Sequence, residues 1–222
     1  MYVRGWRAFF NWMHSEGYIT EDVGGEIKLI KAEKRVIQTF TKEQLKRLLD
    51  TPNRAEFTGY RNYLAMLLLL DTMCRVSELV TIELPNINWK DRTIKILGKG
   101  KKERLIPFQA TAERHLQEYI KIRGHLDHDY LFVNIDNGPL SKRTLQQEIT
   151  KIGAEAGIKG VRVSPHTFRH TGARMYIMAQ GDIFSLQKIL GHSSLDIVRN
   201  YVNLWGTDVA AQHARYSPLE QL

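Results

Sequence analysis

Cysteine is nearly missing from these 222 residues, with Cys74 the single one. A lone thiol excludes an internal disulfide framework and suits a reducing compartment, so the chain is expected to be cytoplasmic. With no Cys-x-x-Cys partner nearby, Cys74 reads as a packing residue. No apolar run reaches the roughly 18 residues of a membrane-spanning helix. Met1 is followed by Tyr-Val-Arg-Gly-Trp rather than the apolar core and cleavage site of a secretory signal. No membrane partner is expected. Internal repeats and low-complexity tracts are also missing. Metal-ligand spacing is scarce: the cluster His125-Leu-Asp-His-Asp129 lies between helical segments, lacks a distant partner set and reads as a solvated turn, so no metal site is expected.

Positive charge is what the chain has in excess. Lys and Arg number 32 against 24 Asp and Glu, a net charge of +8 and a pI near 9.5. Such a balance favours nucleic acid or an anionic membrane face as the partner, and it gains meaning only if the cations fall at telling places. A hydrophobic share of 43% and a charged share of 25% describe an ordinary globular protein. The length holds one well-buried domain and a fragment of a second.

The periodicity divides the chain at residue 36. Val3 to Glu16 reads as a short helix with Trp6, Phe9, Phe10 and Met13 on one apolar stripe, ended by Gly17. A stripe so apolar needs something to pack on, and suggests the remnant of an upstream domain. Glu21 to Ile37 reads as a linker. The main domain, 37–222, opens with Phe40 and the capping box Thr41…Gln44. Leu45, Leu48 and Leu49 mark a core-facing helix, and Tyr60 to Asp71 is apolar on nearly every side, as a central buried helix should be.

Thr93 to Leu97 and Glu103 to Phe108 form a β-hairpin with Gly98-Lys-Gly-Lys-Lys102 at its tip. Helices follow over Thr111–Arg123, after the cap Ser141, after Ser164-Pro165 with Phe168 and Met175 packing inward, over Asp182–Leu190, and after Ser194 through Tyr201. The expected fold is mainly α with a small antiparallel β-sheet.

Cutting a phosphodiester requires cations for a growing negative charge, a nucleophile, and an acid for the leaving oxygen. Planar, permanently charged arginines suit the non-bridging oxygens. Arg75 abuts the buried helix in Cys-Arg-Val-Ser-Glu-Leu79, and Glu78 is spaced to orient its guanidinium. Alone, this pair reads equally well as a buried ion pair without catalytic work. His166, Arg169 and His170 share one face of a capped helix start in His-Thr-Phe-Arg-His170. Lys99 sits on the hairpin tip with Lys101, Lys102 and Arg104, cations that read as phosphate-gripping or merely solvated. His192 follows Gly191 directly, and Tyr201, which by itself reads as packing, comes nine residues later.

Together these segments resemble the tyrosine recombinase (phage integrase and Xer-type) family in order and spacing. The motifs are Arg75 in Arg-Val-Ser-Glu-Leu, Lys99 in Gly-Lys-Gly-Lys-Lys-Glu-Arg-Leu-Ile-Pro, His166-Thr-Phe-Arg169-His, Leu-Gly-His192-Ser-Ser, and Tyr201. The resemblance covers about residues 39–222. Residues 1–36 look like the last helix and linker of the family's core-binding domain, and the ending Ser-Pro-Leu-Glu-Gln-Leu like the tail of mobile-element integrases. It implies the tyrosine recombinase catalytic-domain fold and a site-specific recombinase acting on double-stranded DNA. In that scheme Tyr201 becomes linked to a 3′ phosphate, Arg75 and Arg169 clamp that phosphate, and Lys99 is the general acid. His166 is the general base or its proton partner, His192 donates to the phosphate, and Glu78 and His170 support the arginines. Lys101, Lys102 and Arg104 would contact DNA. No cofactor, ATP or metal is implied. Strand exchange would proceed in a homotetramer bridged by segments after Asn203, with a monomer conceivable off DNA. One departure stands out: where the family usually has glycine two residues before the first arginine, this chain has Met73. A type IB topoisomerase-like relaxing enzyme and a non-catalytic DNA-binding protein are the alternatives, with Leu-Gly-His-Ser-Ser favouring recombination.

Overall fold

A computed structural model describes residues 2–28, 38–98 and 103–191, with positions 213 and 217. The chain divides into two compact units, Met1–Val36 and Ile37–Leu222. Among the described residues no helix is long and apolar enough to cross a membrane.

In the first unit, α1 (Tyr2–Ser15) ends where Gly17 takes a left-handed φ of 77°. Trp6, Phe9 and Trp12 are exposed, and Trp6 stacks on the half-buried Phe10 at 6.0 Å between ring centroids. Part of the stretch expected to be a linker is helical instead. Asp22 accepts a hydrogen bond from the Gly25 N–H at 2.8 Å and caps the short α2 (Val23–Glu26). Gly24 sits so close to Asn11 that a side chain there would collide with it, so α2 folds back on α1.

The second unit is built around α4 (Phe57–Asp71), whose Leu64, Ala65, Met66, Leu68 and Leu69 are wholly buried. An amphipathic stripe could not serve here, because α3, α6, α7 and α8 all contact α4. The helix α3 (Lys42–Asp50) starts at the expected box: Thr41 Oγ1 accepts from the Gln44 N–H, and Gln44 Oε1 from the Thr41 N–H. Phe40 packs edge-on against Phe168 at 4.9 Å, and its N–H donates to Thr171 Oγ1, fastening the entry of the domain to α8.

After the single helical turn α5 (Val76–Leu79), three antiparallel strands form a sheet in the order β1 (Ile87–Asn88), β2 (Thr93–Leu97), β3 (Glu103–Pro107). The hairpin β2–β3 is the expected one; β1 adds two residues to it, Ile87 opposite Ile94. Ile94 faces Ile106 across the hairpin and both are buried, while Leu105 and Leu97 point outward. The same alternation turns Arg104, opposite Ile96, toward the core side.

A short 3-10 turn, Leu84–Asn86, precedes β1, and the longer helices that follow the sheet are α6 (Ala110–Arg123), α7 (Lys142–Glu155), α8 (Pro165–Met178) and α9 (Ile183–Leu190). The expected caps are present: Ser141 accepts from the Thr144 N–H and Ser164 from that of Thr167. Asp182, expected as the first residue of its helix, is instead its cap and accepts from the Ser185 N–H. On α8, Phe168 is fully buried as expected. Met175 instead stays 42% exposed, because it borders an open groove rather than the core. The expected helix through Tyr201 lies outside the described residues.

Candidate active site

Two guanidinium networks bring distant segments to one region. The first centres on Glu78, whose carboxylate is buried in α5. Its Oε2 accepts from the Arg75 backbone N–H at 2.7 Å, and its Oε1 from Arg75 Nη1 at 3.0 Å. Arg104 then reaches in from β3 and donates two parallel bonds, Nη1 to Oε1 and Nη2 to Oε2, both 2.8 Å. Burial pushes the Glu78 carboxyl up, but the bonds from Arg104 and the Arg75 backbone outweigh it and hold the group below its ordinary range. The carboxylate therefore stays ionised between two arginines.

Arg169 builds the second network. It is 4% exposed, with Nη1 donating to the Met73 carbonyl at 2.7 Å and Nη2 to the Leu190 carbonyl at 2.8 Å. Met73 lies two residues before Arg75, so Arg169 is held against the turn that presents Arg75. That turn is left-handed at Met73, with φ 52°, a conformation for which glycine is the unstrained residue. Met73 keeps it by burying its side chain with Ala173, Ile177, Leu186 and Leu190. Close packing of α8 here needs Gly172, where a β-carbon would meet the Leu70 carbonyl and the Met73 side chain.

The C-terminus of α9 joins both networks. Its last carbonyls would otherwise lack partners. The N–H of Gly191, left-handed at φ 61°, donates to Gln187 and Lys188; Arg104 Nε donates to Ile189 at 3.3 Å, and Arg169 to Leu190. Two cations thus meet the negative end of the helix dipole. A β-carbon at Gly191 would lie 2.8 Å from Arg104 Cζ and Nε, so glycine serves both the turn and the guanidinium beside it.

The histidines of α8 lie within this electropositive region. His166 is exposed, yet its ring is held below the usual imidazole range, first by desolvation and then by Arg169 and Arg75, with Arg162 and Lys142 adding to them. Neutral at physiological pH, it can accept a proton. His170 is half-buried and driven down to about 4, first by burial, then by His166 and Arg169. Cys74 is buried and its thiol pushed up to about 11 by desolvation, which makes it inert.

Arg75, Glu78, His166, Arg169 and His170 therefore come together. Lys99, Lys101, Lys102, His192 and Tyr201 lie outside the described residues. Arg104 takes a different post from the expected DNA-facing one: its side chain is 15% exposed and committed to Glu78. Strand alternation carried the signal, since Arg104 shares its face with Ile106. The turn at His125–Asp129 is ordered by Arg123, which donates to the His128 carbonyl at 2.6 Å. Among the described residues no group of three or more His, Cys, Asp or Glu is placed to hold a metal ion. The described arrangement can bind an oxyanion with two fixed guanidiniums and a neutral imidazole beside them.

Residues 38–205 match the model of the phage integrase family. The tyrosine recombinase XerC of Thermodesulfovibrio yellowstonii is 30% identical over 206 residues, 89% of this chain and 68% of that protein. The tyrosine recombinase XerD of Staphylococcus haemolyticus is 30% identical over 217 residues, 96% of this chain and 73% of that protein. Among solved structures, the Tn1549 transposon integrase in complex with transposon right end DNA superimposes with a TM-score of 0.78 at 18% identity, covering 97% of this chain and 78% of that one. The XerH site-specific recombinase bound to palindromic difH substrate gives 0.75 at 23% identity, covering 95% and 64%.

Proposed function

This chain belongs to the phage integrase family and is a tyrosine-type site-specific recombinase, and from that premise we propose that it cleaves and rejoins double-stranded DNA through a covalent link between Tyr201 and a 3′ phosphate. The Tyr201 phenol oxygen attacks phosphorus and the bond from phosphorus to the 5′ oxygen breaks. His166 takes the phenolic proton and Lys99 gives one to the departing 5′ oxygen, which leaves as a hydroxyl. Arg75, Arg169 and His192 hold the phosphate oxygens, and Glu78 and His170 steady the arginines. Attack by the 5′ hydroxyl of a second strand reverses these steps. The phosphotyrosine keeps the energy of the broken bond, so ATP is not required, and the arginines supply charge that a metal would otherwise bring.

The observation that carries this reading is the bond from Arg169 to the Met73 carbonyl, which seats one arginine of the clamp beside the turn bearing the other. DNA as the partner is supported by the net charge of +8 and by the Tn1549 integrase neighbour, described in complex with DNA. Residues 1–36 are read as the end of a core-binding domain and its linker. The active assembly is read as a homotetramer on DNA bridged by the region after Asn203. The apolar groove of about 420 Å³ lined by Leu49, Leu67, Leu70, Met73 and Met175 is a suitable seat for such a segment.

The test is a duplex nicked near its target so that cleavage traps the protein. Mass spectrometry should find a DNA adduct on the parent chain and none on Tyr201→Phe. A parent that forms no adduct would leave only a DNA-binding role. Supercoil relaxation without strand exchange between two sites would point to a topoisomerase-like enzyme.

A further inference from the structure

We propose that Arg104 is a positioning residue of the phosphate clamp: by taking both oxygens of Glu78 it leaves a net positive charge at Arg75 for the substrate, and it anchors the end of α9 that leads to His192 and Tyr201. The inference rests on the cleavage reading above. It goes beyond that reading by giving a hairpin cation a task that touches neither DNA nor the reacting atoms.

Three observations converge on it. The geometry of the carboxylate comes first. Arg104 occupies Glu78 with two bonds of 2.8 Å, whereas the side chain of Arg75 gives it one, at 3.0 Å. Without Arg104, Glu78 would pair one to one with Arg75 in a poorly solvated place and cancel the charge that has to meet the phosphate. With it, two cations share one anion and a net positive charge remains.

The second observation is the bond from Arg104 Nε to the Ile189 carbonyl, with the guanidinium against Gly191, where a β-carbon would crowd it. One side chain thereby links β3, the Arg75 turn and the end of α9. The third is exposure. Arg104 is 15% exposed and Arg75 34%, so of the two arginines on Glu78, Arg75 is the one open to a ligand.

A phosphate contact and a purely structural ion pair are the competing roles, and kinetics separate all three. The experiment measures single-turnover adduct formation at saturating nicked duplex, and DNA affinity against salt, with circular dichroism to verify folding. Arg104→Met is expected to lower the saturating rate by about 10- to 100-fold, the size of effect a displaced catalytic group brings. The slope of log affinity against log salt should stay that of the parent, whereas a lost phosphate contact would reduce it by about 0.9. Arg104→Lys, which keeps the charge but not the fork, should recover part of the rate. Adding Glu78→Gln to Arg104→Met should raise the rate again, because the uncompensated anion is gone; a structural role would not produce that rescue. Should Arg104→Met not fold, Arg104→Lys with and without Glu78→Gln carries the same comparison. A saturating rate within threefold of the parent, a reduced salt slope, or no rescue by Glu78→Gln overturns the proposal. A parent that forms no Tyr201 adduct overturns the cleavage reading itself, whereas an active parent equalled by Arg104→Met overturns the positioning role alone.

Discussion

The guanidinium of Arg169 donates to the backbone carbonyl of Met73 at 2.7 Å, across 96 positions of sequence. The same side chain donates to Leu190, so one buried arginine joins α8, the Arg75 turn and α9. Arg169→Ala removes the donor from two carbonyls in poorly solvated surroundings, each worth about 1–3 kcal/mol when left unsatisfied. The expected loss of stability is about 2–5 kcal/mol, read from urea unfolding. Arg169→Lys should lose less, since one ammonium can still serve one of the carbonyls.

Met73 carries a conflict between backbone and side chain. Its φ of 52° disfavours any residue with a β-carbon, by about 1–2 kcal/mol, while its side chain is buried against α8 and α9. Met73→Ala keeps the strain and empties the site, an expected loss of about 2–4 kcal/mol. Met73→Gly empties the site too but relieves the strain, and should be the more stable of the two by about 1 kcal/mol. Equal unfolding midpoints for the two variants would show that the turn is not strained.

Gly191 is bound to Arg104 by space. An alanine there meets both a left-handed backbone, about 1 kcal/mol, and Arg104 atoms at 2.8 Å. Gly191→Ala should destabilise the parent by about 1–2 kcal/mol and also slow adduct formation. In an Arg104→Met background its effect should shrink toward the backbone contribution alone, which a double-mutant cycle measures. Strict additivity would mean that the two residues do not touch in solution.

What the sequence made legible was mostly local. Thr41 with Gln44, Ser141, Ser164-Pro165 and Gly191 mark helix ends because capping uses neighbours three or four residues away. Spacing likewise put Glu78 on Arg75. The two-residue strand β1 was not legible, since Ile87 and Asn88 are extended only through pairing with β2. The turn α2 was missed for a similar reason: it depends on Gly24 packing against Asn11. Arg169 reads as a phosphate ligand from its motif, but its carbonyl partners are 21 and 96 residues away and leave no pattern. Met73 was visible as a departure from the family, and only its dihedral shows how the chain accommodates it. Arg104 was readable in principle from strand alternation; the lysines beside it suggested a DNA-facing role instead.

His170 makes stability depend on pH. Its folded value of about 4 lies below the ordinary 6.5, because burial and then His166 and Arg169 oppose its charge. Above pH about 6.5 the ring is neutral in folded and unfolded chains alike, and this stability is fully present. As pH falls from there toward about 4, the unfolded chain binds the proton first and the stability is lost. Discounted for partial exposure, the contribution is about 1–2 kcal/mol. His170→Gln should therefore show a smaller fall in melting temperature between pH about 7 and 5 than the parent. Identical falls would place the acid sensitivity elsewhere.

The hairpin tip allows the cations of one motif to be divided by task. Arg104 faces inward in an alternating strand, whereas Lys101 and Lys102 belong to the sequence Gly-Lys-Gly-Lys-Lys, read as gripping the DNA backbone. A phosphate contact contributes about 0.9 to the slope of log affinity against log salt. Replacing Lys101 and Lys102 together by Met should reduce that slope by up to about 1.8, and weaken binding by a similar factor for target and unrelated duplexes, because phosphates carry no sequence. The saturating adduct rate should change little, since neither lysine is assigned to the reaction. Fluorescence anisotropy over a salt series reads the slope directly. An unchanged slope would leave the lysines as solvated surface and move the DNA backbone contacts to other parts of the domain.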